Sequence, residues 1–195
     1  RRLAIVPTPP EWGIPANARA LIPPVLAISW NEQSPAEQTV VAGIAGTEYA
    51  AVAATIARWA RVSDAPVQQN GAVCSLRAPR DAWYVLSPFI TRQDLDQYRR
   101  AVTAVLGLRD PRLYLEPAER WLANIHGKEF PHSSWLRRGL AESLIFLSLT
   151  ETVGGERGHD VARTIVHNLL TTDWERWYSL DHVLPMLAEA APAIF

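Results

Sequence analysis

Apolar positions recur three or four apart over most of the chain, and the breaks between these runs carry capping and turn residues. Ser34-Pro35-Ala36-Glu37 reads as a capping box with proline in the first turn, opening a helix through Val40, Val41 and Ile44. Gly43 and Gly46 flank a short break. Thr47 is placed to cap a second helix whose apolar face is Tyr49, Val52, Ile56 and Trp59. The run Val67 to Leu76 follows, with Asn70-Gly71 at its middle. That pair predicts a hairpin with a type I′ turn, because both central residues need positive φ. Two helices across a tight turn and then a hairpin is the order of a winged helix-turn-helix.

Beyond Pro79 the period stays helical. Asp81 is expected to cap Trp83 to Ile90. Thr91-Arg92-Gln93-Asp94 is a second capping box, opening a helix with Leu95, Tyr98, Ala101, Val102, Val105 and Leu106 inward and Gly107 at its end. Asp110-Pro111 marks a turn. Glu116-Pro117 starts a helix carrying Trp121, Leu122 and Ile125. Ser134 opens a longer one with Leu136, Leu140, Leu144 and Leu147. Thr152 to His159 is a Gly-rich loop, and Val161 to Leu170 is helical, with Asp160 as its cap. Asp173 starts the last segment, where Ser179 is expected to cap Leu180 to Ala190. The predicted class is mainly α: a winged helix with a β-hairpin wing, followed by a solenoid-like helical array.

Proline content sets the first boundary. Pro7, Pro9, Pro10, Pro15, Pro23 and Pro24 predict an extended arm or linker over residues 1–33. Its apolar residues suggest that it packs on something. The winged helix is then expected over 34–90 and the helical domain over 91–195. The N-terminal Arg1-Arg2 and Leu3 to Val6 are cut short by Pro7, which argues against a signal peptide. The start without Met and the end at Phe195 predict a piece of a longer protein.

Composition narrows the chemistry. The chain has 195 residues, 48% hydrophobic and 20% charged, with a formal net charge of −1. Nucleic-acid binding would therefore need a local basic patch. Lys128 is the only lysine among nineteen basic residues. Cys74 stands alone, so it forms neither an internal disulfide nor a cysteine metal site. No apolar run reaches the ~18 residues of a membrane span. A cytoplasmic protein with no cofactor is expected.

Catalytic patterns are missing. Lys128 lies in His126-Gly127-Lys128-Glu129, outside any P-loop frame, so no nucleotide hydrolysis is expected of this chain. Gly43 to Gly46 follows no strand, and Gly154-Gly155 reads only as a loop. His126, His132, His159, His167 and His182 keep no tight ligand spacing. His132, Ser133 and Asp160 lack the Gly-x-Ser-x-Gly elbow of a hydrolase. Glu116 and Glu119 are explained as helix-start residues.

Surface chemistry is the remaining lead. A DNA-reading helix needs long polar and basic side chains. The second predicted helix is mostly alanine outward, with only Tyr49, Thr55 and Arg58 able to reach a base. Over residues 34–90 the arginines, Arg58, Arg61, Arg77 and Arg80, are balanced by Glu37, Glu48, Asp64 and Asp81. Arg77 and Arg80 are the one feature favouring DNA. Of the eight tryptophans, Trp59, Trp83, Trp121 and Trp135 fall on apolar helix faces and are expected in the core. Trp174 and Trp177, beside Arg176, are candidates for a packing surface. The candidate interaction residues are thus Tyr49, Arg58, Arg77, Arg80, Trp174 and Trp177, with a protein or another domain of the same chain as partner.

From Trp30 onward the chain resembles the region that follows the ATPase core in large bacterial P-loop proteins of the STAND or NACHT-like type. The resemblance rests on Gly46 to Trp59, the Asn70-Gly71 hairpin, Ala78-Pro79-Arg80-Asp81-Ala82-Trp83, Val105-Leu106-Gly107 with Asp110-Pro111, Ser134 to Leu144, and Leu184 to Pro192. It implies a winged helix packed on a nucleotide-binding core elsewhere in the protein. It also implies helices that sense a ligand or hold an inactive state, in a signalling or defence switch. No catalytic motif is shared, so no functional residue carries over.

Overall fold

A computed structural model describes residues 9–171 and 173–195; the expectations for Arg1 to Pro7 lie outside them. Where prolines predict an extended arm, the chain is helical. A 3-10 turn (Glu11–Gly13) leads to α1 (Pro15–Ala18), a second 3-10 turn and α2 (Ile22–Ala27), and then to strand β1 (Ser29–Asn31). The correction has a simple cause. Pro15, Pro23 and Pro24 sit in first turns, where the missing amide has no partner to lose and the fixed φ favours the helix. Every residue from Leu21 to Trp30 is buried. Between α2 and β1 the backbone turns at Ile28, the one non-glycine residue with positive φ among those described.

Helix α3 (Pro35–Ala45) is capped by Ser34, whose Oγ accepts the Glu37 amide at 3.4 Å. The other half of the expected box is absent. The Glu37 carboxylate is buried and accepts the backbone amides of Asn31 at 2.6 Å and Ser133 at 2.5 Å. It joins the end of β1 to a helix start ninety-six residues away. Gly46, in the left-handed region, ends α3, and α4 (Tyr49–Trp59) follows at 87°. Its N-cap is Glu48 rather than Thr47, with no side-chain cap. Strands β2 (Val67–Asn70) and β3 (Val73–Leu76) complete an antiparallel sheet of order β1-β3-β2. Asn70 pairs with Val73, so the turn residues are Gly71 and Ala72. Only Gly71 has positive φ, the φ signature of type II′ rather than the expected I′.

Helix α5 (Pro79–Leu86) starts two residues ahead of its expected cap, with proline in its first turn. In α6 (Arg92–Leu106) the full Thr91–Asp94 capping box forms, and all six predicted inward residues are buried. Helix α7 (Ser134–Leu149) is capped by Ser133. The Gly-rich loop is a small hairpin, β4 (Thr152–Val153) and β5 (Glu156–Arg157), turned by Gly154-Gly155. Next come α8 (Gly158–Leu170), α9 (Trp174–Ser179, capped by Asp173) and α10 (Leu184–Ala190). Asp160 lies inside α8, and Ser179 ends α9 rather than capping α10.

Helix α7 is central. It packs on α8 and α10, and also on α2 and β1. A solenoid repeat contacts only its neighbours in sequence; α7 instead gathers segments from both ends of the chain. Gly139 permits the approach: a Cβ there would lie 2.2 Å from the Ala27 carbonyl oxygen. The Ser29 hydroxyl donates to the Trp135 carbonyl at 2.9 Å, and the Ser143 hydroxyl to the Leu26 carbonyl at 2.9 Å. The buried apolar cluster runs without a break from Trp12 to Ala191, so neither expected boundary, at 33 or at 90, divides the core.

Between α6 and α7 the regular elements are two 3-10 turns (Pro111–Tyr114 and Pro117–Leu122). The helix expected there does not form, and its apolar residues face solvent: Trp121 is 78% and Ile125 74% exposed. No helix among the described residues is long and apolar enough to cross a membrane.

Candidate functional site

The outward face of α4 is Ala50, Ala51, Ala54, Ala57 and Arg58, as the sequence suggests. Tyr49 turns inward: its hydroxyl accepts the Trp30 indole N–H at 3.0 Å, and burial raises its pKa. The Arg58 guanidinium lies 4.7 Å from the centroid of the Trp59 ring. Arg77 and Arg80 are exposed and form no ion pair among the described residues. They do not merge into one strip. Arg77 lines a hollow that also holds Asp64 and Asp81, which offset its charge. Arg80 lines a separate apolar hollow of about 1100 Å³ with Trp83, Tyr84, Phe146 and Leu149.

Trp174 and Trp177 have different fates. The Trp177 indole N–H donates to the Leu170 carbonyl at 3.1 Å, and its ring meets Phe195 edge-on at 5.6 Å. Trp174 is 65% exposed on a helix whose start is anchored twice. Asp173 caps it, and Arg109 pairs with both Asp173 (2.6 Å) and Glu175 (2.7 Å). Exposed aromatics also occur where the core was expected. Trp135, on the first turn of α7, is 56% exposed, while Trp59 and Trp83 are buried as predicted.

A second feature was missed by the sequence. Arg137, on α7, is 1% exposed yet forms no ion pair among the described residues. Its Nε donates to His182 Nε2 at 3.2 Å and its Nη2 to the Ser179 carbonyl at 2.6 Å. Nη1 has no acceptor. The Phe130 ring lies against the guanidinium, 3.7 Å from its carbon. Burial lowers the Arg137 pKa to about 10, which still leaves it cationic at neutral pH. The residue lines a cavity of about 310 Å³ with His132, Ser134 and His182. Burial lowers both histidine pKa values, and the Arg137 charge lowers them further. The only signal for this site in the sequence was an arginine at an inward position of a leucine-rich helix.

Other candidate chemistry is dispersed. No group of three or more histidine, cysteine or acidic residues could hold a metal among the described residues. Ser133 Oγ is occupied as an acceptor for the Leu136 amide, and Asp160 pairs with Arg163 at 3.6 Å on the surface of α8. Cys74 is buried, which pushes its thiol up to about 12, far from a reactive thiolate. Comparison with known protein families, curated proteins and solved structures finds no match for the chain.

Proposed function

We propose that this chain is a non-catalytic interaction module of a larger bacterial protein, working in the cytoplasm and bound to another domain or to a protein partner. The observation that carries the reading is Trp174, an exposed indole on a doubly anchored helix. A large rigid aromatic held out to solvent is the residue type that dominates protein interfaces. The winged-helix reading draws support from the order α2, β1, α3, α4, β2, β3, from the β1-β3-β2 sheet, and from the near-perpendicular α3–α4 pair. The alanine face of α4 suits close helix packing better than base reading. A STAND- or NACHT-like parent, in which this module packs on a nucleotide-binding core, follows from the sequence resemblance.

The natural reading frame tests the parentage: a Walker motif upstream is expected. Mixing this chain with the upstream segment should give a complex that Trp174→Ala weakens about 10-fold or more. An unchanged affinity in that variant removes the tryptophan as the anchor. The alternative, a DNA-binding regulator, rests on exposed Arg58, Arg77 and Arg80. It requires a saturable duplex-DNA shift at physiological salt that is lost in the Arg77→Ala/Arg80→Ala double variant; no such shift is expected.

A further inference from the structure

We infer that the cavity beside Arg137 binds a phosphate group, free or carried on a small molecule. A buried guanidinium without a carboxylate partner is costly, because the charge has lost water and gained no counter-charge. Arg137 has no carboxylate at ion-pair distance among the described residues; Asp110 and Asp181 attract it only from further off. Two of its nitrogens are satisfied by a neutral imidazole and a carbonyl, while Nη1 has nothing to donate to. An oxyanion would supply the missing acceptor and bring a negative charge to contact distance.

The surroundings suit the same ligand. Ser133 caps the Leu136 amide and gives its own amide to Glu37. The amides of Ser134 and Trp135 then find no acceptor among the described residues, and they lie at the positive end of α7. Ser134 adds a hydroxyl to the cavity wall. His132 Nδ1 is also buried without a partner. Arg112 reaches the cavity rim while paired with Asp110. One carboxylate, Asp181, also lines the cavity, but its side chain is largely in solvent and it makes no ion pair with Arg137. The volume of about 310 Å³ holds a phosphoryl group and further atoms of a small molecule. Phe130 shields the guanidinium face, so a ligand enters by displacing that ring.

The probe is inorganic phosphate, titrated against the whole chain by calorimetry and by thermal unfolding, with sodium chloride at matched ionic strength as control. Saturable binding is expected, with a midpoint rise of about 5 °C or more at a hundredfold excess over Kd. Arg137→Met should abolish it. Should that variant fail to fold, Ser134→Ala and Arg112→Ala, both nearer the surface, should each weaken phosphate several-fold. A glycerol phosphate titration separates a free ion from a phosphoryl group on a small molecule. The inference is overturned by no saturable phosphate heat in the unaltered chain. Equal binding of acetate, or binding untouched by all three substitutions, overturns it as well.

Discussion

Two stretches of similar apolar richness, Leu21 to Asn31 and Leu113 to Ile125, end in opposite states. Where α2 and β1 meet α7, nearly every side chain is buried and backbone comes within contact of backbone at Gly139. Between α6 and α7, Trp121, on a 3-10 turn, and Ile125, just beyond it, stand in solvent. The difference is not hydrophobicity but what each stretch has to pack on. The first is flanked by a sheet and a long helix, and its polar groups are taken by Ser29, Glu37 and Ser143. The second forms two 3-10 turns, opened by Pro111 and Pro117, that pack mainly on each other. Burial therefore follows what a stretch has to pack on more than the count of apolar residues within it.

The sharpest way to break the seam is Gly139→Val. A side chain there must enter the space of the Ala27 carbonyl, and a loss of about 3 kcal/mol or more is expected in urea unfolding. An unchanged midpoint would mean that α7 and α2 do not meet. Leu140→Ala, at the next position and fully buried, should cost about 3 kcal/mol by the same measurement. Glu37→Gln keeps the shape but replaces one of two acceptor oxygens with a donor. About 2 kcal/mol should be lost, because a backbone amide of β1 or α7 is left unsatisfied.

The pairing of the N-terminal segment with the start of α6 carries a pH signature. Burial alone would raise the Asp94 pKa, but hydrogen bonds from Arg19 and Thr91 outweigh it and hold the carboxyl below its usual range. The folded state thus binds this proton less readily than the unfolded chain. Its stabilisation is complete above the unfolded value of about 3.9 and is lost as pH falls through the folded one. Asp94→Asn should flatten the fall in stability below about pH 4, as read by unfolding at stepped pH. The exposed stretch should respond least: Trp121→Ser and Ile125→Ser are each expected within about 0.5 kcal/mol of the unaltered chain. A larger loss in either would show that the stretch is packed after all.

Legibility in the sequence followed the same division. The Thr91 box and the six inward residues of α6 could be read because cap, period and burial all agreed along one uninterrupted element. The prolines before Trp30 misled because their meaning depends on whether they fall in a first turn, which spacing alone does not reveal. Trp121 and Trp135 were misread because periodicity says which residues share a face, not whether anything covers that face. The Asn70-Gly71 hairpin was found one residue out of register, since Gly71-Ala72 satisfies a different turn with the same glycine. The Arg137 cavity was invisible in the sequence. Its members, from the 126–132 stretch, from α7 and from His182, come together only when the chain closes.

Ile28 has a kinetic consequence. A β-branched residue with φ of 59° is held against its own preference, at a cost of about 1–3 kcal/mol. Its amide is bound to Pro24 within the local turn, but its carbonyl is held by the Leu76 amide, which arrives only with β3. This corner is therefore expected to close late, once a strand forty-eight residues downstream has docked. Refolding kinetics of Ile28→Val should then give a φ-value near zero, with the change falling almost wholly on the unfolding rate.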